Sequence, residues 1–164
     1  MKYDFVVVNT DGSCIDNPGS MGIAFVIQFD DNTVFRYSEY IGFGTNNLAE
    51  YQAVLKALEY IQKNNIIANR FIFKSDSQLI VKQINGEWQT KDHILDEIRK
   101  KIIAICNSIG YIKTKKTKPK SNIAEFTFSW IPREQNRLAD RLAKKRSATE
   151  AYQTVSKETW LNEI

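Results

Sequence analysis

Cysteine, histidine and long apolar runs are all scarce in this 164-residue chain, and each scarcity removes a class of function. The two cysteines, Cys14 and Cys106, have neither the spacing of a metal site nor the number for a disulfide framework. The one histidine, His93, falls in the first turn of a long middle helix, where a surface position is expected and a catalytic role carries little weight. No apolar run approaches the roughly 20 residues that span a bilayer, so no membrane partner is expected. The opening Met1-Lys2-Tyr3-Asp4-Phe5-Val6 enters a strand-like run at once and leaves no place for a secretory leader; a cytoplasmic address is the expectation. No internal repeat is visible.

What remains is an ordinary globular composition, 43% hydrophobic and 26% charged. The length suits one domain with a full core, assigned to residues 1–148, followed by a weakly patterned tail at 149–164. The formal charge is +4 and the pI about 9.0, which by itself points only weakly to a polyanionic partner. Its distribution says more: Lys113, Lys115, Lys116, Lys118 and Lys120 crowd one stretch, and Lys144, Lys145 and Arg146 another. Each cluster reads either as a solvated face or as a contact for phosphates.

Hydrophobic patterning predicts a mixed α/β domain. Phe5-Val6-Val7-Val8 is a continuous apolar run, as in a central strand buried on both faces, and Asn9-Thr10-Asp11-Gly12 bounds it. Turn formers follow at 14–19, then strands at 22–29 and 33–41 joined by a hairpin at Asp30-Asp31-Asn32. From Asn46 the period becomes helical: Glu50, Val54, Leu58 and Ile61 share one face of a helix over 47–63. Phe71-Ile72-Phe73 reads as another buried strand, 77–85 as a short helix closed by Asn85-Gly86, and Ile94, Leu95, Ile98, Ile102 and Ile105 as the stripe of a longer helix. A lysine-rich loop at 113–121, a strand at 123–131 and a helix over 136–147 complete the domain. The expected architecture is a five-stranded mixed sheet, three antiparallel strands then two parallel ones, flanked by helices.

Three acids sit where this pattern makes them expensive. Asp11 and Asp76 follow buried strands and, if those strands are parallel neighbours, emerge at one carboxyl edge of the sheet. Glu50 lies on the apolar stripe of the first helix, where a carboxylate needs a partner. Asp140, near the start of the last helix, supplies a fourth. Singly, Asp11 reads equally as a turn residue, Asp76 as a helix cap and Asp140 as a charge favouring a helix N-terminus. Together they would repel unless divalent cations bind, and Mg²⁺ prefers carboxylate oxygens.

At this point the residues resemble a known family. Thr10-Asp11-Gly12-Ser13-Cys14-Ile15-Asp16-Asn17-Pro18-Gly19 is similar to the first motif of type 1 ribonuclease H, Asn46-Asn47-Leu48-Ala49-Glu50 with Ala53 and Ala57-Leu58-Glu59 to the second, Ser75-Asp76-Ser77-Gln78 to the third, and Asn136-Arg137-Leu138-Ala139-Asp140-Arg141-Leu142-Ala143 to the fourth. The motifs come in family order and cover residues 3 to 146. The resemblance implies an endoribonuclease that cuts the RNA strand of RNA–DNA hybrids with two divalent ions, Mg²⁺ or Mn²⁺, held by Asp11, Glu50, Asp76 and Asp140. It implies 3′-hydroxyl and 5′-phosphate product ends. It also implies that Gly12, Ser13, Cys14, Asn17, Glu50 and Gln78 face the RNA minor groove and that Thr45 and Asn46 bind a DNA phosphate. A monomer is expected.

Two departures stand out. Many relatives carry a histidine in the loop before the last acid, whereas Trp130-Ile131-Pro132-Arg133-Glu134-Gln135-Asn136 has none, so Arg133, Glu134 or Asn136 becomes the candidate auxiliary residue. The basic helix and loop that some relatives insert after the third motif is also missing. Trp88 would stack on the DNA strand or pack at its helix end, and the lysine-rich loop would supply substitute phosphate contacts. The alternatives to an enzyme are a module that binds hybrids or double-stranded RNA without cutting, and a ribonuclease H domain released from a reverse transcriptase.

Overall fold

The computed structural model describes residues 2–150 and 158–159. A three-stranded antiparallel meander, β1 (Lys2–Cys14), β2 (Gly19–Phe29) and β3 (Val34–Gly44), leads into α1 (Asn46–Lys63). β4 (Ile67–Ser75), α2 (Gln78–Ile84), α3 (His93–Ile109), β5 (Gly110–Ile112), β6 (Ala124–Trp130), a 3-10 turn (Arg133–Gln135) and α4 (Arg137–Glu150) follow. β7 is the two-residue pair Glu158–Thr159 on β3.

The sheet runs β5-β6-β4-β1-β2-β3-β7. β1 pairs antiparallel with β2 and parallel with β4, and β4 pairs parallel with β6. The mixed five-stranded core is thus as expected, but two short strands extend it. β5 hides in the sequence because it is three residues long and follows its helix directly, while its partner β6 lies a loop away. Trp160 and most of the expected tail fall outside the described residues, and α4 continues to Glu150, past the expected boundary at 148.

Period-two alternation decides which helix covers which face. Val6, Val8, Phe25, Ile27, Phe71, Phe73, Phe126 and Phe128 point towards α1, α2 and α3 and form the larger core with Val54, Leu58, Ile80 and Ile102. Ala24 and Val26 point the other way, onto Ala139, Leu142 and Ala143 of α4. The small residues there let α4 lie close. A Cβ on Gly22 would stand 2.1 Å from the Ala143 carbonyl oxygen and 2.6 Å from the Ser147 nitrogen, so only glycine permits this helix–strand approach. The stripe expected on α3 needs one change: Leu95, Ile98, Ile102 and Cys106 are buried, but Ile94 is 63% exposed.

Candidate functional site

β1 does not stop at the turn formers after Asn9. Pairing with β2 carries it through Asp11↔Ala24 and Gly12↔Ile23 to Cys14↔Met21, so Asp11 is a strand residue rather than a turn residue. Thr10 lies opposite Ser75, the last residue of β4, and Ser75 lies opposite Trp130. The carboxyl ends of three parallel strands therefore meet at one edge, with Asp11 and Asp76 upon it. Asp76 caps no helix, because the Ser77 side chain accepts the Ile80 N–H of α2.

α1 delivers the third acid. Thr45 caps it, accepting the Leu48 N–H at 3.2 Å, and Glu50 then falls on the inner stripe beside Ala49, Ala53 and Val54. Glycine at position 12 makes the approach possible: a Cβ there would lie 2.3 Å from both the Ala49 carbonyl carbon and the Glu50 nitrogen. The Gly12 N–H donates to Glu50 Oε1, which fixes that carboxylate against β1.

One oxygen from each of Asp11, Glu50 and Asp76 lies within 4.8 Å of the other two. Asp11 is 3% exposed and Glu50 8%. Burial, joined by the charges of Glu50 and Asp76, raises the Asp11 pKa above the carboxylate range. Burial likewise raises Glu50, against the hydrogen bonds it receives from Asp11 and Gly12, and it raises Asp76. Asp11 Oδ2 is buried with no hydrogen-bond partner among the described residues. An orphaned carboxylate oxygen among two further carboxylates, all hard oxygen donors, is the donor set that a divalent magnesium-like cation takes.

Asp140 lines the same cleft but differs in company. Arg133 Nη2 stands 3.4 Å from Asp140 Oδ1, and Lys144 Nζ 3.2 Å from Oδ2. Partial burial opposes its ionisation, but hydrogen bonds with Asp11 and Lys144 and the charges of Arg133 and Lys144 hold it below the usual range. The open cleft, about 430 Å³, is walled by Asp11, Gly12, Ser13, Cys14, Asn46, Asn47, Glu50, Asp76, Ser77, Arg133, Asp140 and Lys144.

Residues 4–148 match the family model described as RNase H. The chain belongs to the RNase H family. It is 31% identical over 140 residues to a bifunctional protein of Mycobacterium tuberculosis, covering 84% of this chain and 34% of that one. It is 31% identical over 136 residues to the ribonuclease HI of Halobacterium salinarum, covering 82% and 60%. The chain thus spans about a third of the first relative's length and 60% of the second's. Among solved structures, LC11-RNase H1 in complex with an RNA/DNA hybrid superposes with a TM-score of 0.75 at 31% identity, covering 89% of this chain and 99% of that one. RNase H1 of Halobacterium salinarum superposes with a TM-score of 0.74 at 27% identity, covering 88% and 98%.

In this RNase H chain the other sequence-predicted residues divide into four groups. Gly12, Ser13, Cys14, Asn46 and Arg133 line the carboxylate cleft. Asn17 and Thr45 line an adjoining groove of about 640 Å³ with Phe43 and Ile94, and Asn17 Oδ1 accepts the Asn46 N–H at 3.0 Å. Gln78, Trp88 and Glu134 are exposed and line neither. Trp88 is 45% exposed beside the end of α2, where its backbone N–H donates to the Lys82 carbonyl at 3.2 Å. Asn136 is 1% exposed, and its amide donates to the Thr10 carbonyl at 2.9 Å and accepts from Asn9 Nδ2 at 3.0 Å. It clasps β1 from the turn before α4 instead of entering the cleft. His93 is exposed.

Sequence reasoning missed Asn47, Ser77 and Lys144 as cleft residues. Lys144 carried a usable signal, since it lies one helical turn after Asp140 and so shares its face. Asn47 and Ser77 are neighbours of motif residues and offer no signal of their own.

Proposed function

We propose that this chain is an endoribonuclease that hydrolyses the RNA strand of RNA–DNA hybrids, leaving 3′-hydroxyl and 5′-phosphate ends. The observation that carries this reading is the convergence of Asp11, Glu50 and Asp76 within 4.8 Å, with one buried Asp11 oxygen unpartnered among the described residues. Those three acids, with Asp140 on the cleft wall, would hold two divalent cations, Mg²⁺ or Mn²⁺. Bound there, such ions offset the carboxylate charge and stabilise both the attacking and the leaving oxygen of a phosphodiester.

The chain's own residues do the rest. The Gly12 N–H keeps Glu50 aimed into the cleft, and the Asn136 clasp holds the first turn of α4, hence Asp140, against β1. Arg133, exposed at the rim, offers a cation that remains protonated near neutral pH and so steadies phosphate charge without acting as a base. The Gly12–Cys14 wall lies beside the acids, where it would meet the sugar edge of the cut strand and read the 2′-hydroxyl that separates RNA from DNA. Thr45, one groove away, suits the uncut DNA strand, and Asn17 holds the Asn46 N–H between the two. The hybrid seen with LC11-RNase H1 supports this choice of substrate.

The test is a denaturing gel of labelled hybrid, duplex DNA and duplex RNA with Mg²⁺, run beside Asp76→Asn. Cleavage of the RNA in the hybrid alone, lost in Asp76→Asn, is expected. Hybrid binding without cleavage by the intact chain would replace the enzyme with a binding module.

A further inference from the structure

The lysine-rich segment after α3 is not a free solvated loop. β5 covers only the first half of β6, pairing Gly110↔Ala124 to Ile112↔Phe126, and the Lys113 N–H then donates to the Phe126 carbonyl at 2.8 Å. Past that point the outer side of β6 borders a groove of about 510 Å³, floored by Thr127, Phe128 and Ser129. The end of α2 at Asn85–Glu87 forms one wall and Lys113–Lys116 the other. Asn85 Nδ2 donates to the Phe128 carbonyl at 3.0 Å, tying wall to floor. The Thr114 and Thr117 hydroxyls meet at 2.8 Å and fold the lysine wall back on itself.

This groove is basic. Lys113, Lys115 and Lys116 line it with Glu87, which pairs with Lys115 at 3.9 Å and Lys82 at 3.4 Å, and Lys113 also pairs with Glu125 outside the groove at 3.8 Å. Among the groove's own lining residues, three lysines against the single acid Glu87 leave two positive charges. Exposed pairs this long contribute little and exchange readily for a stronger anion. At its upper end Ser129 adjoins Trp130, which is 49% exposed and whose indole N–H donates to the Asp76 carbonyl at 3.2 Å. The upper end of the groove therefore reaches the sheet edge that carries the carboxylate cluster.

We propose that the groove is a second contact for the sugar–phosphate backbone of the RNA–DNA hybrid, placed to one side of the bond that is cut. This rests on the reading of the carboxylate cleft given above. Along that edge β6 and β1 stand two strand spacings apart with β4 between them, about 10 Å, or about three base steps of a duplex lying along it. A centre built from acids repels the phosphates it must admit, and lysines a few steps away offset that repulsion without entering the chemistry.

The experiment is the salt dependence of hybrid binding, followed by fluorescence anisotropy in EDTA so that no strand is cut. The triple change Lys113→Gln, Lys115→Gln, Lys116→Gln should reduce the slope of log K against log salt by about 2 to 3, near 0.9 per lost phosphate contact. The same charge loss elsewhere, Lys2→Gln, Lys63→Gln, Lys101→Gln, should reduce it by less than about 1. Lys116→Glu alone should lower it by about 1, which keeps the test alive if the triple variant folds poorly. Trimming the hybrid to within about three base pairs of the cut should remove the difference between the triple variant and the unaltered chain. An unchanged slope, an equal fall in the control triple, or a difference that persists on the trimmed hybrid overturns the proposal. Failure of the unaltered chain to cut hybrid strikes the reading of the cleft instead, whereas cutting with an unchanged slope strikes the groove alone.

Discussion

Two groups of acids in this protein follow opposite rules. On α3, Asp92 caps the helix through the Ile94 and Leu95 N–H groups, and Asp96 pairs with Arg99 at 2.8 Å and Lys100 at 3.3 Å. The hydrogen bond from Arg99 leads in holding Asp96 below the usual carboxylate range. At the sheet edge, Asp11, Glu50 and Asp76 face one another, and burial pushes all three upward. The same residue types thus serve as local stabilisers in one place and as a stored electrostatic burden in the other. A fold keeps such a burden where a ligand relieves it.

The comparison is broken most severely by removing a cluster acid. Asp11→Asn should lower hybrid cleavage by at least about a hundredfold, while leaving the melting temperature in EDTA unchanged or raised. A fall in that melting temperature would show Asp11 to be a stabilising residue like Asp96. Next comes Gly12→Ala: its Cβ would collide with the Ala49 and Glu50 backbone, so both stability and turnover should drop together, as thermal melts and single-turnover kinetics can show.

The dependence on pH sharpens the contrast. The folded-state pKa values of Asp11, Glu50 and Asp76 lie above the unfolded ones near 4, so over that window the folded chain retains protons that the unfolded chain has released. Metal-free stability should therefore fall as pH rises from about 4 through neutrality, and urea melts in EDTA should record it. The Asp96 contribution runs the other way, since a depressed pKa stabilises above the unfolded value and is lost on acidification. A metal-free stability that climbs steadily to neutral pH would contradict the cluster's burden.

Smaller effects are expected from the supports. Asn136→Ala leaves the Thr10 carbonyl without its amide partner and should cost about 1–3 kcal/mol, with a modest loss of turnover as α4 loosens from β1. Asp96→Asn should shift the melting temperature least of all and leave cleavage untouched.

Much of this was legible in the residues alone. The run Phe5–Val8, the helical spacing of Glu50, Val54, Leu58 and Ile61, and an acid at the end of each of two buried strands, Asp11 and Asp76, were enough to place three carboxylates on one edge. The extension of β1 through Asp11-Gly12-Ser13 was not, because turn-forming residues were overridden by pairing with β2. β5 and the lysine groove were hidden for a related reason: both depend on a partner strand beyond a loop, and local pattern carries no trace of it. Asn136 looked like a cleft residue since it stands four positions before Asp140, yet its amide turns towards the β1 backbone.

The most direct measurement is the thermal melt of the intact chain and of Glu50→Gln as Mg²⁺ or Mn²⁺ is added. If cations relieve the crowded carboxylates, the intact chain should gain stability with metal concentration, about 2.7 kcal/mol at a hundred times the dissociation constant, and Glu50→Gln should gain much less. Equal gains in both proteins, or none in either, would contradict the account.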